Sequence, residues 1–172
     1  MSNISPAAIE AIKMAIQLEK DGHAFFQEAA QQTENSLGKK MFEMLAKEEI
    51  DHLHTFQQIF DTATEGGNWA ELTQKAPRKG KIPVFEGKKN ERKDVNPGEL
   101  DALRKAINIE REAIDFFQKA TDGTTDPLAK KIFETIREEE KYHYDLLQAQ
   151  FDSLSHSGMW FDVAEFRMDG TY

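Results

Sequence analysis

Apolar side chains recur every three or four residues in two long stretches of the sequence, 5–60 and 97–151. This spacing places them along one face of an α-helix. The pattern is interrupted once in each stretch, at Asn35-Ser36 and at Asp126-Pro127. Each stretch therefore predicts two helices joined by a short turn, and a Pro near its start suits a first helical turn.

The two stretches are copies of each other. A shift of 91 residues aligns AIKMAIQLEKDGHAFFQEA with ALRKAINIEREAIDFFQKA, and KKMFEMLAKEEIDH with KKIFETIREEEKYH. More than a third of the positions from Ala11 to His52 are identical without a gap, which indicates a true internal repeat. Two repeated helical hairpins predict an all-α fold, an antiparallel four-helix bundle with pseudo-twofold symmetry.

The segment 61–97, which holds four of the ten glycines and three of the five prolines, separates the two copies and shows no helical stripe. It is long enough to cross the length of the bundle, and a crossover between hairpins explains such a long connection. We therefore expect one domain over 1–172. It consists of a hairpin at 7–60, the crossover, a second hairpin at 98–151 and a C-terminal tail at 152–172.

A glutamate lies in the middle of every apolar stripe, and in the second and fourth helices a histidine follows three residues later, on the same face. The four stripes are Ile12, Ala15, Ile16, Glu19, Gly22 and Phe26; Phe42, Leu45, Glu49, His52 and Phe56; Leu103, Ala106, Ile107, Glu110, Ala113 and Phe117; and Phe133, Ile136, Glu140, His143 and Leu147. A charged carboxylate in an apolar core is unfavourable unless it is paired or bound to metal. Two divalent cations would balance four carboxylates, and neutral imidazoles would complete their coordination.

The predicted metal ligands are Glu19, Glu49, His52, Glu110, Glu140 and His143. A Glu from two helices and a Glu-x-x-His from the other two is the di-iron or di-manganese pattern of ferritin-like bundles. Because each of the six residues has an identical counterpart 91 positions away in the other repeat, a dinuclear site is favoured over an incidental histidine beside a solvated charge. The neighbouring Glu48, Glu138 and Glu139 lie off the histidine face and are expected to be solvated.

With these residues, the chain resembles members of the rubrerythrin/ferritin-like di-iron superfamily. More narrowly, it resembles rubrerythrin-type proteins that lack the rubredoxin domain. The resemblance covers roughly residues 7–56 and 98–150. It implies two iron ions, although manganese or zinc suits the same ligands. It also implies bridging roles for Glu49 and Glu140, terminal roles for Glu19 and Glu110, and one ion each for His52 and His143.

The chain departs from that family pattern at several positions. Rubrerythrins that act as peroxidases usually carry an extra Glu one turn after the third-helix ligand, where this sequence has Ala113 and, in the first repeat, Gly22. Phe26 and Phe117 replace a frequent Tyr, and we expect them to pack in the core. Gly22 and Ala113 either let helices approach closely or leave space for dioxygen or peroxide beside the metals.

The composition of the sequence excludes some classes of protein function and disfavours others. The sequence has no Cys, which excludes thiolate metal sites and Fe–S clusters within it, and its net charge of −9 disfavours non-specific nucleic-acid binding. No apolar run reaches the length of a membrane span, and the first residues, MSNISPAAIEAIKM, do not resemble a signal peptide. We expect a cytoplasmic protein without a membrane partner.

The sequence therefore predicts a di-iron oxidoreductase that reacts with hydrogen peroxide or dioxygen and takes electrons from an external rubredoxin-like or flavoprotein donor. Two alternatives stay open, a ferritin-like ferroxidase for iron storage or delivery and a non-redox metal-binding helical module. A homodimer is compatible with the resemblance.

Smaller predictions concern residues outside the stripes. His23 is expected to be a satisfied boundary histidine, and His54 and His156 to lie at the surface. Trp69 and Trp160 are expected to anchor the crossover and the tail. The basic run Lys88, Lys89, Arg92 and Lys93 is read as a solvated loop, with docking of an acidic redox partner as its alternative.

Overall fold

The computed structural model describes residues 5–64 and 96–163, and these residues form helices without any β-strand. The four helices are α1 (Pro6–Gln32), α2 (Ser36–Thr64), α3 (Pro97–Gly123) and α4 (Pro127–Ser157). Helix α1 packs along α2, α3 packs along α4, and α1 also contacts α3. The fold is the all-α, ferritin-like four-helix bundle that the repeat predicted.

The helices begin where short polar side chains can cap them. Ser5 accepts a hydrogen bond from the backbone N–H of Ala8, and Asn96 and Asp126 cap α3 and α4 in the same way. A Pro follows each of these caps at the first helical turn, where its missing N–H leaves no intrahelical bond unmade. The predicted breaks near Asn35 and Asp126 are therefore confirmed as the turns of the two hairpins.

Two helices continue beyond their predicted ends at 60 and 151. Helix α2 reaches Thr64 because Ile59 is buried and Phe60 packs against the core through the last turns. Helix α4 reaches Ser157 because Leu154 continues the apolar stripe, and it ends at Gly158, whose φ of 69° is left-handed. The remaining residues of the predicted crossover, 65–95, lie outside the described residues, as do Trp69 and the basic run.

The apolar core consists of two clusters separated by a polar layer. Every residue of the four predicted stripes is buried. One cluster contains Phe26, Phe42 and Leu103, and the other contains Ile12, Phe56 and Phe117. Along each helix the predicted ligands fall between residues of the two clusters, so the polar layer is closed by apolar side chains above and below it.

The part of the C-terminal tail that the structure describes, 158–163, folds back onto one end of the bundle, as predicted for Trp160. The indole of Trp160 is buried against Phe42 and donates from Nε1 to Oε2 of Glu99, 3.1 Å away. The amide of Gln150 on α4 bonds the backbone of Phe161 in both directions, at 2.7 and 3.3 Å. These contacts tie the tail to the starts of α2 and α3 and to the end of α4.

Candidate metal centre

The six predicted ligands lie in the polar layer between the apolar clusters. Each of the four helices contributes a glutamate, and α2 and α4 each add a histidine one turn later. All six side chains are almost fully removed from solvent, with exposed fractions of 3% or less. The residues are Glu19, Glu49, His52, Glu110, Glu140 and His143.

These residues form two overlapping groups, each able to hold one metal ion. In each group one ligand atom per residue lies within 4.8 Å of the others. The first group takes its separate ligands from Glu19 and His52, and the second from Glu110 and His143. Both groups share Glu49 and Glu140. A pair of carboxylates common to two sites is the arrangement that two bridged ions require.

The ring nitrogens that face the centre are the Nδ1 atoms of the two histidines. Nδ1 of His52 lies 3.0 Å from Oε1 of Glu140 and 3.4 Å from Oε2 of Glu19. Nδ1 of His143 lies 3.0 Å from Oε2 of Glu140, and 3.5 Å from carboxylate oxygens of Glu49 and Glu110. Glu140 therefore spans both histidines, one with each of its oxygens.

The outer nitrogens of the two rings meet carboxylates from the opposite helix. Nε2 of His52 on α2 lies 2.6 Å from Oε2 of Glu139 on α4. Nε2 of His143 on α4 lies 2.6 Å from Oε2 of Glu48 on α2. An ionised carboxylate only accepts, so each Nε2 carries a proton and donates it. When the ring is neutral, a proton on Nε2 leaves the lone pair on Nδ1, where a metal could bind it.

The prediction that Glu48 and Glu139 are solvated is therefore wrong. Helix position alone placed them off the face of the histidine on their own helix, but each contacts the histidine of the other hairpin. Their conservation between the two repeats, at the same 91-residue shift as the ligands, is the sequence signal that was available. Glu138 does lie at the surface as predicted, with 59% of its side chain exposed and Lys141 as its partner.

The unsatisfied atoms of this layer fit a metal. Within the described part of the chain, six buried atoms of the predicted ligands form no hydrogen bond of acceptable geometry: both oxygens of Glu19, Oε1 of Glu49, Glu110 and Glu140, and Nδ1 of His52. Buried polar atoms are normally satisfied, and a charged group left unpaired is especially unfavourable. Oxygen and imidazole donors of this kind suit iron, manganese and zinc.

Without a metal, protons neutralise the layer. Burial raises the pKa of the carboxyl groups of Glu19, Glu49 and Glu110. Burial opposes protonation of His52 and His143, but the surrounding carboxylates outweigh it and raise the pKa of both imidazoles well above the usual value. These positive rings in turn overcome burial at Glu140 and lower its pKa. Metal ions would therefore displace protons from this site.

The space beside Gly22 is occupied by the predicted ligand Glu49 and is not an open channel. A Cβ atom at this position would lie 2.5 Å from Oε2 of Glu49, so the carboxylate occupies the space beside the glycine. Of the two roles considered for Gly22, space for an oxidant is not what the structure shows. Its repeat counterpart Ala113 is buried in the apolar cluster that contains Phe117.

The other predicted residues lie outside the two groups. His23 is half-buried and its Nδ1 donates to the carbonyl of Ala46 at 2.7 Å, as expected for a satisfied boundary histidine. His54 and His156 are exposed, as predicted. Phe26 and Phe117 are fully buried, and they stack on Phe42 and on Phe56, which confirms their packing role.

In the described ranges, none of the helices combines the length and the apolar character that crossing a membrane would need. A search of curated proteins found no match. A solved structure of a hypothetical protein from Pyrococcus furiosus has a TM-score of 0.67 and 22% identity, over 89% of this chain and 93% of that one, a likeness of fold alone. The family model described as Rubrerythrin matches residues 10–151, which include all six predicted ligands. The chain therefore belongs to the rubrerythrin family.

Proposed function

We propose that the chain is a di-iron carboxylate oxidoreductase that reduces hydrogen peroxide or dioxygen with electrons from a separate donor. The observation that carries this proposal is the pair of overlapping ligand groups that share Glu49 and Glu140. The rubrerythrin family binds di-iron centres, and the matched region spans both hairpins. Four carboxylates and two neutral imidazoles would balance two divalent ions.

A pair of ferrous ions held by these residues supplies two electrons, the number that converts hydrogen peroxide and two protons to two water molecules. The chain's own contribution is to hold the ligands. Glu48 and Glu139 orient the imidazoles of His143 and His52, and their negative charge makes each Nδ1 more basic.

The apolar clusters provide the second contribution of the chain. Phe26 and Phe42 lie on one side of the polar layer, and Phe56 and Phe117 on the other. They exclude bulk water from both ends of the site, which strengthens electrostatic interactions within it. We propose that the oxidant therefore approaches between helices and not along the bundle axis.

The electron donor lies outside these 172 residues in this proposal, because the sequence has no cysteine with which to build a rubredoxin-type or Fe–S centre. A rubredoxin-like protein or a flavoprotein has the required chemistry. A cytoplasmic location belongs to the same proposal.

Rapid mixing of the anaerobic, ferrous-loaded chain with hydrogen peroxide and, separately, with dioxygen tests this function. We expect oxidation by at least one of them to be faster than that of free ferrous iron in the same buffer. Glu140→Gln should abolish this acceleration, whereas Glu138→Gln, two residues away and exposed, should retain it.

Other outcomes contradict the proposal in different ways. Oxidation of many irons per chain would indicate ferritin-like storage. A chain that binds no metal after anaerobic incubation with Fe(II) or Mn(II) would be a metal-free helical module. A chain that binds two ions but oxidises them no faster than free iron would be a non-redox metal protein.

A further inference from the structure

The carboxylate of Glu49 lies so close to Gly22 that it would have to move if position 22 carried a side chain. Gly22 is buried on α1, one turn after Glu19. A Cβ there would lie 2.5 Å from Oε2 of Glu49, 3.3 Å from its Cδ and 3.7 Å from its Cγ. Side-chain Cβ atoms essentially never come within 3.0 Å of another heavy atom, so the carboxylate fills the volume that a methyl group would take.

The repeat makes this contact informative, because its counterpart differs. The residue that corresponds to Gly22 is Ala113, which does carry a methyl group. The corresponding glutamates also differ in what they contact. Glu140 uses both oxygens on the histidines, each at 3.0 Å. Glu49 uses only Oε1 in this way, 3.5 Å from Nδ1 of His143, while Oε2 turns towards α1.

We propose that Gly22 is a positioning residue for Glu49. By leaving out a side chain, it gives the second carboxylate oxygen a place on the α1 side of the layer, next to the turn that carries Glu19. Glu49 can then offer one oxygen to each ligand group. This inference rests on the proposed two-ion centre and concerns how it is held, not what it oxidises.

A Gly22→Ala variant should therefore lose one of the two ions. The new methyl group forces Oε2 of Glu49 away from α1, and the group that contains Glu19 and His52 then lacks its shared oxygen. Titration of the metal-free chain with Co(II), followed by visible absorption and elemental analysis, should show two ions per wild-type chain. In the variant, we expect one ion to bind with nearly unchanged affinity and the other at least tenfold more weakly.

Two matched variants separate positioning from general effects of glycine and alanine in a helix. Ala113→Gly makes the opposite change at the repeat-related position, and Gly123→Ala adds a methyl group where no atom lies within 4 Å. Both should still bind two Co(II) ions. The proposal is overturned if Gly22→Ala binds both ions with wild-type affinity, or if Ala113→Gly weakens binding to the same extent.

A measurement on the metal-free chain covers the case in which Gly22→Ala folds poorly. Gly22→Ala is compared in the wild-type and in the Glu49→Ala background by urea unfolding. Alanine favours a helix over glycine by about 1 kcal/mol, so the substitution should raise the unfolding midpoint in the Glu49→Ala background, where the atoms that the methyl group would meet are gone. When Glu49 is present, the gain should be smaller or become a loss. An equal change in both backgrounds would contradict the proposal.

The outcome is independent of the proposed redox function. A wild-type chain that binds two Co(II) ions but does not accelerate oxidation of iron overturns the oxidoreductase and leaves the role of Gly22 intact. Conversely, an active ferrous enzyme whose Gly22→Ala variant binds metal normally overturns only the positioning role.

Discussion

Nε2 of His143 lies 2.6 Å from Oε2 of Glu48, across the interface between the two hairpins. The repeat generates the reciprocal contact between His52 and Glu139, also at 2.6 Å. Each histidine is therefore oriented by the hairpin that does not carry it. Neither histidine has its carboxylate partner unless α2 and α4 face each other, so the orientation of both rings depends on the packing of the two hairpins.

Removing one of these carboxylates should weaken metal binding without removing a ligand. We expect Glu139→Ala and Glu48→Ala each to lower metal affinity by about 10–100-fold, since the imidazole loses the acceptor that fixes its tautomer and orientation. Competition with a chromophoric chelator measures the affinity. Glu138→Ala, next in sequence and exposed, is the control and should bind as the wild type does. Equal affinity in Glu139→Ala would contradict an orienting role.

The sequence predicted the fold and the composition of the polar layer because both follow from local patterns. A stripe with period 3.6 selects a helix face, and a glutamate within it has to be compensated. Glu48 could not be placed in this way, since its partner lies on another helix and 95 residues further along the chain. The fit of Glu49 against Gly22 is likewise a matter of inter-helix distance, which a stripe does not specify.

The stability of the metal-free chain should fall as the pH rises above neutrality. Both ligand histidines have a folded-state pKa raised above the usual 6.5, so their stabilising contribution is complete below pH 6.5 and is lost through the raised pKa. The raised pKa values of Glu19, Glu49 and Glu110 act in the same direction, from about pH 4.5 upwards. Each extra proton held by the folded state contributes about 1.4 kcal/mol per pH unit.

Urea unfolding in the presence of a chelator, at pH 6.5 and at pH 8.5, measures this loss. The zinc-loaded chain provides the comparison, because the metal has displaced the protons and its stabilisation should grow with pH. The contribution of Glu140 to stability changes with pH in the opposite direction. Because its pKa is lowered, it stabilises the fold above about pH 4.5, and this contribution is lost only in acid. If the metal-free chain is as stable at pH 8.5 as at pH 6.5, protons bound to the polar layer do not stabilise the fold.

Trp160 should stabilise the fold mainly by satisfying Glu99. The carboxylate of Glu99 is 8% exposed and receives Nε1–H of Trp160 at 3.1 Å and the backbone N–H of Asn35 at 3.3 Å. Trp160→Phe keeps an aromatic ring but removes the indole donor, so we expect a loss of about 1–3 kcal/mol in the free energy of unfolding. Met159→Ala, at an exposed neighbour, should change it little.

Combining Trp160→Phe with Glu99→Gln tests that explanation. If the loss comes from an unsatisfied carboxylate, the two changes together should cost less than the sum of their separate effects. Metal stoichiometry should remain two ions per chain in all three variants, because Trp160 contacts Phe42 and Glu99, and neither of these is a predicted ligand. Additive losses would instead attribute the effect to packing of the indole.

Gly38 should be required for the packing of the Trp160 indole against the bundle. A Cβ at Gly38 would lie 2.8 Å from two atoms of the Trp160 indole and 2.9 Å from Cγ2 of Thr33. Alanine favours a helix over glycine by about 1 kcal/mol, but overpacking costs about 1–3 kcal/mol, so Gly38→Ala should destabilise the chain overall. Gly123→Ala meets no atom within 4 Å and should be neutral or slightly stabilising.

Fluorescence tests the position of the indole separately. In a Trp69→Phe background, Trp160 is the only tryptophan of the chain. Gly38→Ala should then shift the emission to longer wavelength, since the indole is pushed towards solvent. Unchanged stability and emission would mean that α2 can move aside, and that the indole is held by Glu99 and Phe42 without the glycine.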